Sequence, residues 1–219
     1  MSHAMAQHGL ASSLPAGSEA APRPSPGGRP PGPSAFVPPV SNAQLAMLMF
    51  IGAEAMLFAG LMGAHAFLRF GSAVWPPPGQ PRLPIGITAA NSAVLLLSAV
   101  AMGVALSGVR RGQRHTFRRA LWVTAGLGSV FLAVQGGEWY QLVEHGLSLS
   151  NVFGSIFAAL IGVHGLHVLA GVAWLLRVLW KAVRWEYSTR RHVEADLCGM
   201  YWMFVCGLWI VLFGLVYLV

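Results

Sequence analysis

The stretch Leu45–His65, LAMLMFIGAEAMLFAGLMGAH, decides the fold class of this chain. It is almost wholly apolar, and a run of about 20 apolar residues can span a bilayer as one helix. Glu54 lies near its middle, where a carboxylate is costly and is usually turned toward protein or water. His65 closes the stretch, on the same helix face and roughly 16 Å further along the axis. The stretch therefore predicts a membrane-spanning helix with a functional polar face.

The composition of the whole chain indicates an integral membrane protein. Of its 219 residues, 55% are hydrophobic and only 10% are charged, whereas a soluble domain has about 25% charged residues. The net charge is +7, and an excess of arginine can indicate nucleic-acid binding. Most of these cations lie between apolar spans, so membrane topology and anionic lipid headgroups explain them better. We therefore expect membrane lipids, and no nucleic acid, among the partners.

The chain divides into a tail and a membrane domain. Residues 1–42 contain nine of the fourteen prolines and show no periodicity, which predicts a disordered tail rather than a signal peptide. Residues 43–219 form the second domain. It is predicted to be an all-α bundle of five transmembrane helices, at about 43–70, 84–107, 119–143, 150–180 and 197–218.

The distribution of Lys and Arg predicts the orientation. Twelve of these residues fall on the side of the tail and of the loops after the second and fourth spans, and only Arg69 and Arg82 fall on the other side. Cytoplasmic loops are enriched in such cations. The N-terminus is therefore predicted in the cytoplasm and the C-terminus on the outer side of the membrane.

Two further patterns concern helix packing. Gly154, Ala158 and Gly162 follow one another at four-residue spacing, which lets another helix approach closely. Cys198 and Cys206 lie in the last span, roughly 12 Å apart along one helix, which is too far for a disulfide. We interpret both cysteines as small core residues.

Several polar side chains fall inside or near the spans, where each needs a partner. Gln135 and Glu138 lie one helical turn apart, and His164 and His167 also share a face. The full set comprises Glu54, His65, Asn91, Gln135, Glu138, His164 and His167.

Three interpretations of this set compete. The histidines could bind a metal or haem, but the two central ones lie on one helix. The acids could line a proton or substrate pathway, although five spans without an internal repeat are unlike most transporters. The groups could instead form hydrogen bonds between helices or to a partner subunit, which physical arguments alone favour.

The order of the motifs resembles that of cytochrome c oxidase subunit III. The segment Phe50–Phe58, FIGAEAMLF, resembles the Glu-bearing helix of that family, and His164–Val168, HGLHV, is the most specific match. The other matching positions are Trp75–Pro78, Asn91, Gly112–His115, Gln135, Glu138, Gly154, Phe157, His192, Tyr201, Trp202, Phe204 and Trp209.

The resemblance covers 42–219 and indicates the five-helix bacterial form of the family, which implies a bacterial inner membrane with the C-terminus of the chain in the periplasm. It implies a subunit of a haem-copper oxidase that has no catalytic centre, haem or copper of its own, these being expected in partner subunits I and II. It also implies a bound phospholipid, support of subunit I and of proton uptake, and a carbodiimide-reactive carboxylate at Glu54. The candidate functional residues are Glu54, His65, Gln135, Glu138, His164, His167, His192 and Asp196.

The last helix departs from the family pattern. It has Met203 and Cys206 where the family usually has His and Asp, and Asp196 where the family tends to have Glu. These departures leave open an accessory subunit of nitric oxide reductase. A stand-alone proton-coupled transporter that uses Glu54 and Glu138 is a further alternative from a different class.

Overall fold

The computed structural model describes residues 41–74, 85–145, 151–184, 187 and 192–218. Within these ranges there are five long α-helices and no strand, and all five helices are long and apolar enough to cross a membrane. The predicted all-α class with five spans is therefore confirmed. The helices are α1 Asn42–Phe70, α2 Ile85–Arg110, α3 Arg114–Glu144, α4 Val152–Val183 and α5 Val193–Phe213, which continues as a π-helical turn, Gly214–Leu218.

Residues 1–40 of the predicted tail and the proline-rich loop Trp75–Pro78 lie outside the described ranges. The helix that follows the tail begins one residue earlier than predicted, at Asn42. Ser41 caps it, because its hydroxyl accepts from the backbone N–H of Gln44 while the Gln44 side chain accepts from the Ser41 N–H. Such a capping box satisfies backbone donors that the helix itself leaves open.

The predicted start of the third span, residue 119, was wrong by five residues, because α3 begins at Arg114. The turn from α2 is short, with Gly112 at φ 72°, a left-handed conformation that glycine adopts without strain. Several residues assigned to a basic loop are thus helical. An apolar pattern in the sequence identifies only the part of a helix that lies in hydrocarbon. Backbone hydrogen bonding continues the helix beyond that part, into the headgroup region.

The predicted start of the fifth span, residue 197, was also too late, since α5 begins at Val193. Its first turn carries Glu194 and Asp196. Carboxylates at a helix N-terminus interact favourably with the helix dipole, and both of these carboxylates pair with cations of other helices. Glu194 and Asp196, which interrupt the apolar pattern in the sequence, therefore stabilise the first turn of α5.

Trp202 of α5 stands at the centre of the bundle and is fully buried. Its six-membered ring lies between Gly128 of α3 and Gly171 of α4. A Cβ built on Gly128 would lie 2.6 Å from ring atom Cη2, and one built on Gly171 would lie 2.9 Å from Cε3. The indole N–H donates to Ser98 Oγ of α2 at 3.1 Å. Four helices therefore meet at one side chain, and two of them need glycine there.

Seven residues further along α5, Trp209 repeats this contact. Its indole N–H donates to Ser92 Oγ of α2 at 2.8 Å, and its ring lies 5.0 Å from that of Phe131. Since hydrocarbon gives no hydrophobic drive to helix association, close packing and interhelical hydrogen bonds hold membrane helices together. The pair of tryptophans supplies both along α5.

Of the three small residues of α4 at four-residue spacing, Gly162 allows the close approach of a neighbouring helix. A Cβ built on Gly162 would lie 3.3 Å from the Trp139 ring of α3. Cys198 and Cys206 are buried free thiols, which confirms their interpretation as core residues.

The first helix is attached differently from the other four. It packs against α4 and α5, but Phe58 and His65 are its only buried side chains. Large apolar side chains such as Met49, Met56 and Phe67 are exposed on it. A polar contact that ties α1 to the bundle therefore carries more weight than one between the central helices.

Candidate functional site

Glu54 of α1 pairs with His167 of α4. The Glu54 Oε2 and His167 Nε2 atoms lie 2.9 Å apart, and His167 Nδ1 lies 2.8 Å from the carbonyl oxygen of Val163. That carbonyl can only accept, so Nδ1 carries a hydrogen. A single further proton then lies between Nε2 and the carboxyl group. Whether it resides on Glu54 or on His167, the pair as a whole is electrically neutral.

The pair lies at the surface of the bundle within the membrane span. The Glu54 side chain is 19% exposed and the His167 side chain 17%. The buried ring of Phe58 stands edge-on to the imidazole, with the ring centroids 5.2 Å apart. Tyr201 of α5 donates its hydroxyl to the His167 carbonyl oxygen at 3.1 Å. The arrangement places a neutral, proton-sharing pair where a lipid or a partner subunit can reach it.

His65 does not join this pair, although it lies on the same helix. It is buried, with 2% of its surface exposed. The eleven residues that separate it from Glu54 span about three turns. The structure thus keeps Glu54 and His65 as two separate polar positions on α1.

His164 and His167 lie on neighbouring turns but differ in their surroundings. His164 is buried and stacks on Trp209 with ring centroids 4.9 Å apart. Phe58 and Phe131 present ring edges to it, each at 6.4 Å. His164 is therefore a core aromatic group, whereas His167 reaches outward to Glu54.

Gln135 and Glu138 form a second polar group, as their spacing predicted. Glu138 Oε2 accepts from Gln135 Nε2 at 3.2 Å and from Thr88 Oγ1 of α2 at 2.9 Å. One turn away on α2, Asn91 donates to the Phe131 carbonyl oxygen of α3 at 3.1 Å. Both contacts join α2 to α3. This group is buried and belongs to different helices from the Glu54–His167 pair.

His192 and Asp196 come together at the beginning of α5. Asp196 Oδ1 accepts from Arg110 at the end of α2 at 2.8 Å, and Oδ2 lies 3.3 Å from His192 Nε2. A neighbouring carboxylate, Glu194, accepts from Arg177 and Lys181 of α4 and from Tyr187. These ion pairs fix the start of α5 to α2 and α4.

Sequence reasoning missed two sets of residues. Glu194 was placed in a loop, although Arg177 and Lys181, four residues apart on the preceding helix, could have indicated a shared acid. Ser92 and Ser98 were not singled out, because a serine inside a span has no visible partner in sequence. The two serines are six residues apart and the two tryptophans seven. This similar spacing is the only feature of the sequence that could have indicated the two contacts.

The unusual residues of the last helix fit their surroundings. Cys206 is buried, with its Sγ 3.8 Å from the Leu95 carbonyl oxygen and 4.0 Å from Ser98 Oγ. The methyl group of Met203 lies against Gly103 of α2. Among the described residues, no three side chains of His, Cys, Asp or Glu converge to hold a metal ion.

The fold and these contacts define a multi-pass helical membrane protein whose buried polar groups join helix to helix. Comparison with known proteins gives the family. The family described as cytochrome c oxidase subunit III matches residues 37–219 of the chain. The chain therefore belongs to the cytochrome c oxidase subunit III family and is part of a haem-copper oxidase complex.

Individual relatives agree with this assignment. Cytochrome c oxidase subunit 3 of Synechocystis sp. is 37% identical over 173 residues, which cover 78% of this chain and 73% of that protein. The Thermostichus vulcanus protein of the same name is 32% identical, covering 80% of this chain and 86% of its own. The Mus musculus protein is 32% identical, with 78% and 67% covered.

Proposed function

We propose that this chain supports subunit I of a respiratory haem-copper terminal oxidase without binding a haem or copper itself. Its roles are to stabilise subunit I, to hold membrane lipid and to support proton uptake. Subunits I and II are the partners, and the complex lies in a bacterial inner membrane with the N-terminus of this chain in the cytoplasm. The Glu54–His167 pair is the observation that carries this proposal.

The geometry of that pair suits a supporting role in proton uptake. Its two groups lie 2.9 Å apart and are joined by one hydrogen bond, and carboxylate and imidazole groups are the types that form proton relays in membranes. The pair lies near the middle of α1 and α4, between the two helices, and is partly exposed at the surface of the bundle. An effect on a neighbouring subunit needs these two properties together.

The lipid role is supported by a groove between α3 and α4. It has a volume of about 560 Å³ and is lined by Leu132, Gln135, Gly136, Trp139, Ala158, Ile161, Gly162, Val163, Gly165, Leu166 and Leu169. Glycines on both helices leave the groove open, and its walls are almost entirely apolar. An acyl chain of a phospholipid matches this chemistry.

The test compares Glu54→Gln with Glu54→Leu in the purified oxidase complex. Glutamine can still donate to His167 Nε2, so it retains the contact between α1 and α4 while removing the titratable proton. We expect Glu54→Gln to assemble with the haem-bearing partner at normal stoichiometry and to slow proton uptake during turnover. We expect Glu54→Leu also to weaken the retention of this subunit.

The exposed Glu144 at the end of α3 provides the matched control, and Glu144→Gln should change neither property. Unaltered proton uptake in Glu54→Gln would contradict the proton role, and loss of haem insertion would contradict a merely supporting one. The haem spectrum and substrate of the partner would distinguish an oxygen-reducing complex from a nitric-oxide-reducing one.

A further inference from the structure

Besides Glu54, the membrane span contains a second carboxyl group that the proposed function does not use. Glu138 lies near the end of α3 and meets Thr88 near the beginning of α2. Both positions are at the end of the bundle away from the α2–α3 turn. The same end contains Tyr217, whose hydroxyl lies close to Glu138, Gln135 and Thr88 without meeting the geometry of a hydrogen bond. We call Thr88, Gln135, Glu138 and Tyr217 the Glu138 cluster.

The cluster is almost wholly buried, and only Gln135 also borders the groove between α3 and α4. Glu138 is 5% exposed, Gln135 and Tyr217 are each 6% exposed, and Thr88 is fully buried. Asn91, one turn from Thr88 on α2, is equally buried. Polar groups at this depth require hydrogen-bond partners, since an unsatisfied buried group costs about 1–3 kcal/mol.

The hydrogen bonds between the described residues satisfy only part of the cluster. Glu138 Oε2 has two donors, but Glu138 Oε1 has none among the described residues. The same holds for Gln135 Oε1, for Asn91 Oδ1 and for the Tyr217 hydroxyl. Two amide oxygens, which can only accept, and one carboxyl oxygen thus face a shortage of donors, and the Tyr217 hydroxyl supplies one.

No cation of the described chain compensates a charge on Glu138. The salt bridges among the described residues involve Glu54, Glu194 and Asp196, but not Glu138. Thr88 and Gln135, which contact Glu138, are uncharged. An ionised carboxylate in an apolar interior without a counter-charge is far less favourable than a neutral acid. A neutral acid also supplies a second donor.

We propose that the Glu138 cluster is a proton-holding, water-binding site: Glu138 carries a proton at neutral pH, and at least one water bridges its carboxyl group to the Tyr217 hydroxyl. A water has two hydrogens, so together with the acid proton and the tyrosine hydroxyl it balances the acceptors. Buried waters typically make about three hydrogen bonds to groups of this kind. The site is independent of the role proposed for Glu54, because it lies between other helices.

Infrared difference spectroscopy on the purified oxidase complex tests this proposal. The carbonyl stretch of a protonated carboxylic acid is well separated from the stretches of a carboxylate. We expect a protonated-acid band that is lost in Glu138→Gln and retained in Glu144→Gln. The band should shift when the complex is transferred to D₂O, since a bound water carries exchange into the cluster.

Tyr217→Phe provides a second measurement, independent of whether Glu138→Gln assembles. Removing the hydroxyl should move the frequency of the Glu138 band without abolishing it. A carboxylate signal from Glu138 would overturn the protonated state. A band insensitive to both D₂O and Tyr217→Phe would overturn the bridging water. None of these outcomes bears on Glu54, so the two proposals fail separately.

Discussion

Replacing Gly128 by alanine tests the packing around Trp202 most directly. The new Cβ would lie 2.6 Å from Cη2 and 2.8 Å from Cζ2 of the indole, closer than packed carbon atoms approach one another. The ring has little room to retreat, because its opposite edge lies against the backbone of Gly171, so closely that a Cβ built there would be 2.9 Å from Cε3. Its N–H is in addition bound to Ser98.

The magnitude follows from two opposing effects. Adding a methyl group to a filled core costs about 1–3 kcal/mol, and the site belongs at the upper end of this range because the ring is held on both sides. Alanine is about 1 kcal/mol more favourable than glycine within a helix. We therefore expect a net loss of about 2 kcal/mol in the free energy of unfolding. For a chain of this size, that loss lowers the melting temperature by about 4–8 °C.

The assay heats the purified complex at a fixed ratio of detergent to lipid. Unfolding is monitored by the fraction of this subunit that the complex retains at each temperature. Gly126→Ala is the matched control on the same helix, since no atom lies within 4 Å of its Cβ position, and it should be neutral or slightly stabilising. Combining Gly128→Ala with Trp202→Phe should give less than the sum of the two losses, because phenylalanine lacks the ring atoms that clash. Equal melting temperatures for Gly128→Ala and Gly126→Ala would refute the predicted clash with Trp202.

Two further predictions concern the same helices and the orientation of the chain. Ser98→Ala leaves the buried N–H of Trp202 without its acceptor and should cost about 1–3 kcal/mol by the same thermal assay. Ser129→Ala, which removes only a bond to its own helix, should cost little, and equal losses would contradict the role of the interhelical bond. A cysteine at Gln113 should react with a membrane-impermeant maleimide from the cytoplasmic side only, and a cysteine at Ser72 from the periplasmic side only. The opposite pattern would reverse the proposed topology.

The number of helices could be predicted from the sequence, whereas their ends could not. Twenty apolar residues in a row have few structural alternatives in a membrane. Arg114 and Val193 begin helices outside the predicted spans because a helix is not confined to the hydrocarbon. Its last turns enter the headgroup region, where arginine and carboxylate are as favourable as leucine is inside. Hydropathy therefore locates the depth of a span better than its ends.

Within the site, only contacts inside one helix were predictable. Gln135 and Glu138 were expected together because three residues make a turn, and they form a hydrogen bond. Glu54 was grouped with His65 by the same argument, yet its partner is His167 on another helix, 113 residues away. No periodicity encodes such a pairing, since it depends on how α1 is rotated against α4. The serine partners of the two tryptophans escaped prediction for the same reason.

The sequence gives no reason to assign different roles to the two intramembrane acids, Glu54 and Glu138, but the packing around them differs. Glu54 lies on α1, the helix with the fewest buried side chains. Its hydrogen bond to His167 both attaches α1 to α4 and holds a shared proton. Glu138 lies among helices that also meet at Trp202 and Trp209, so its bonds are not the only contacts that hold them. A substitution at Glu54 can therefore act by loosening α1 or by removing a proton, and only the glutamine and leucine variants together separate these effects. At Glu138 the Tyr217→Phe variant makes the same separation, because it leaves the carboxyl group and its bonds to Thr88 and Gln135 unchanged.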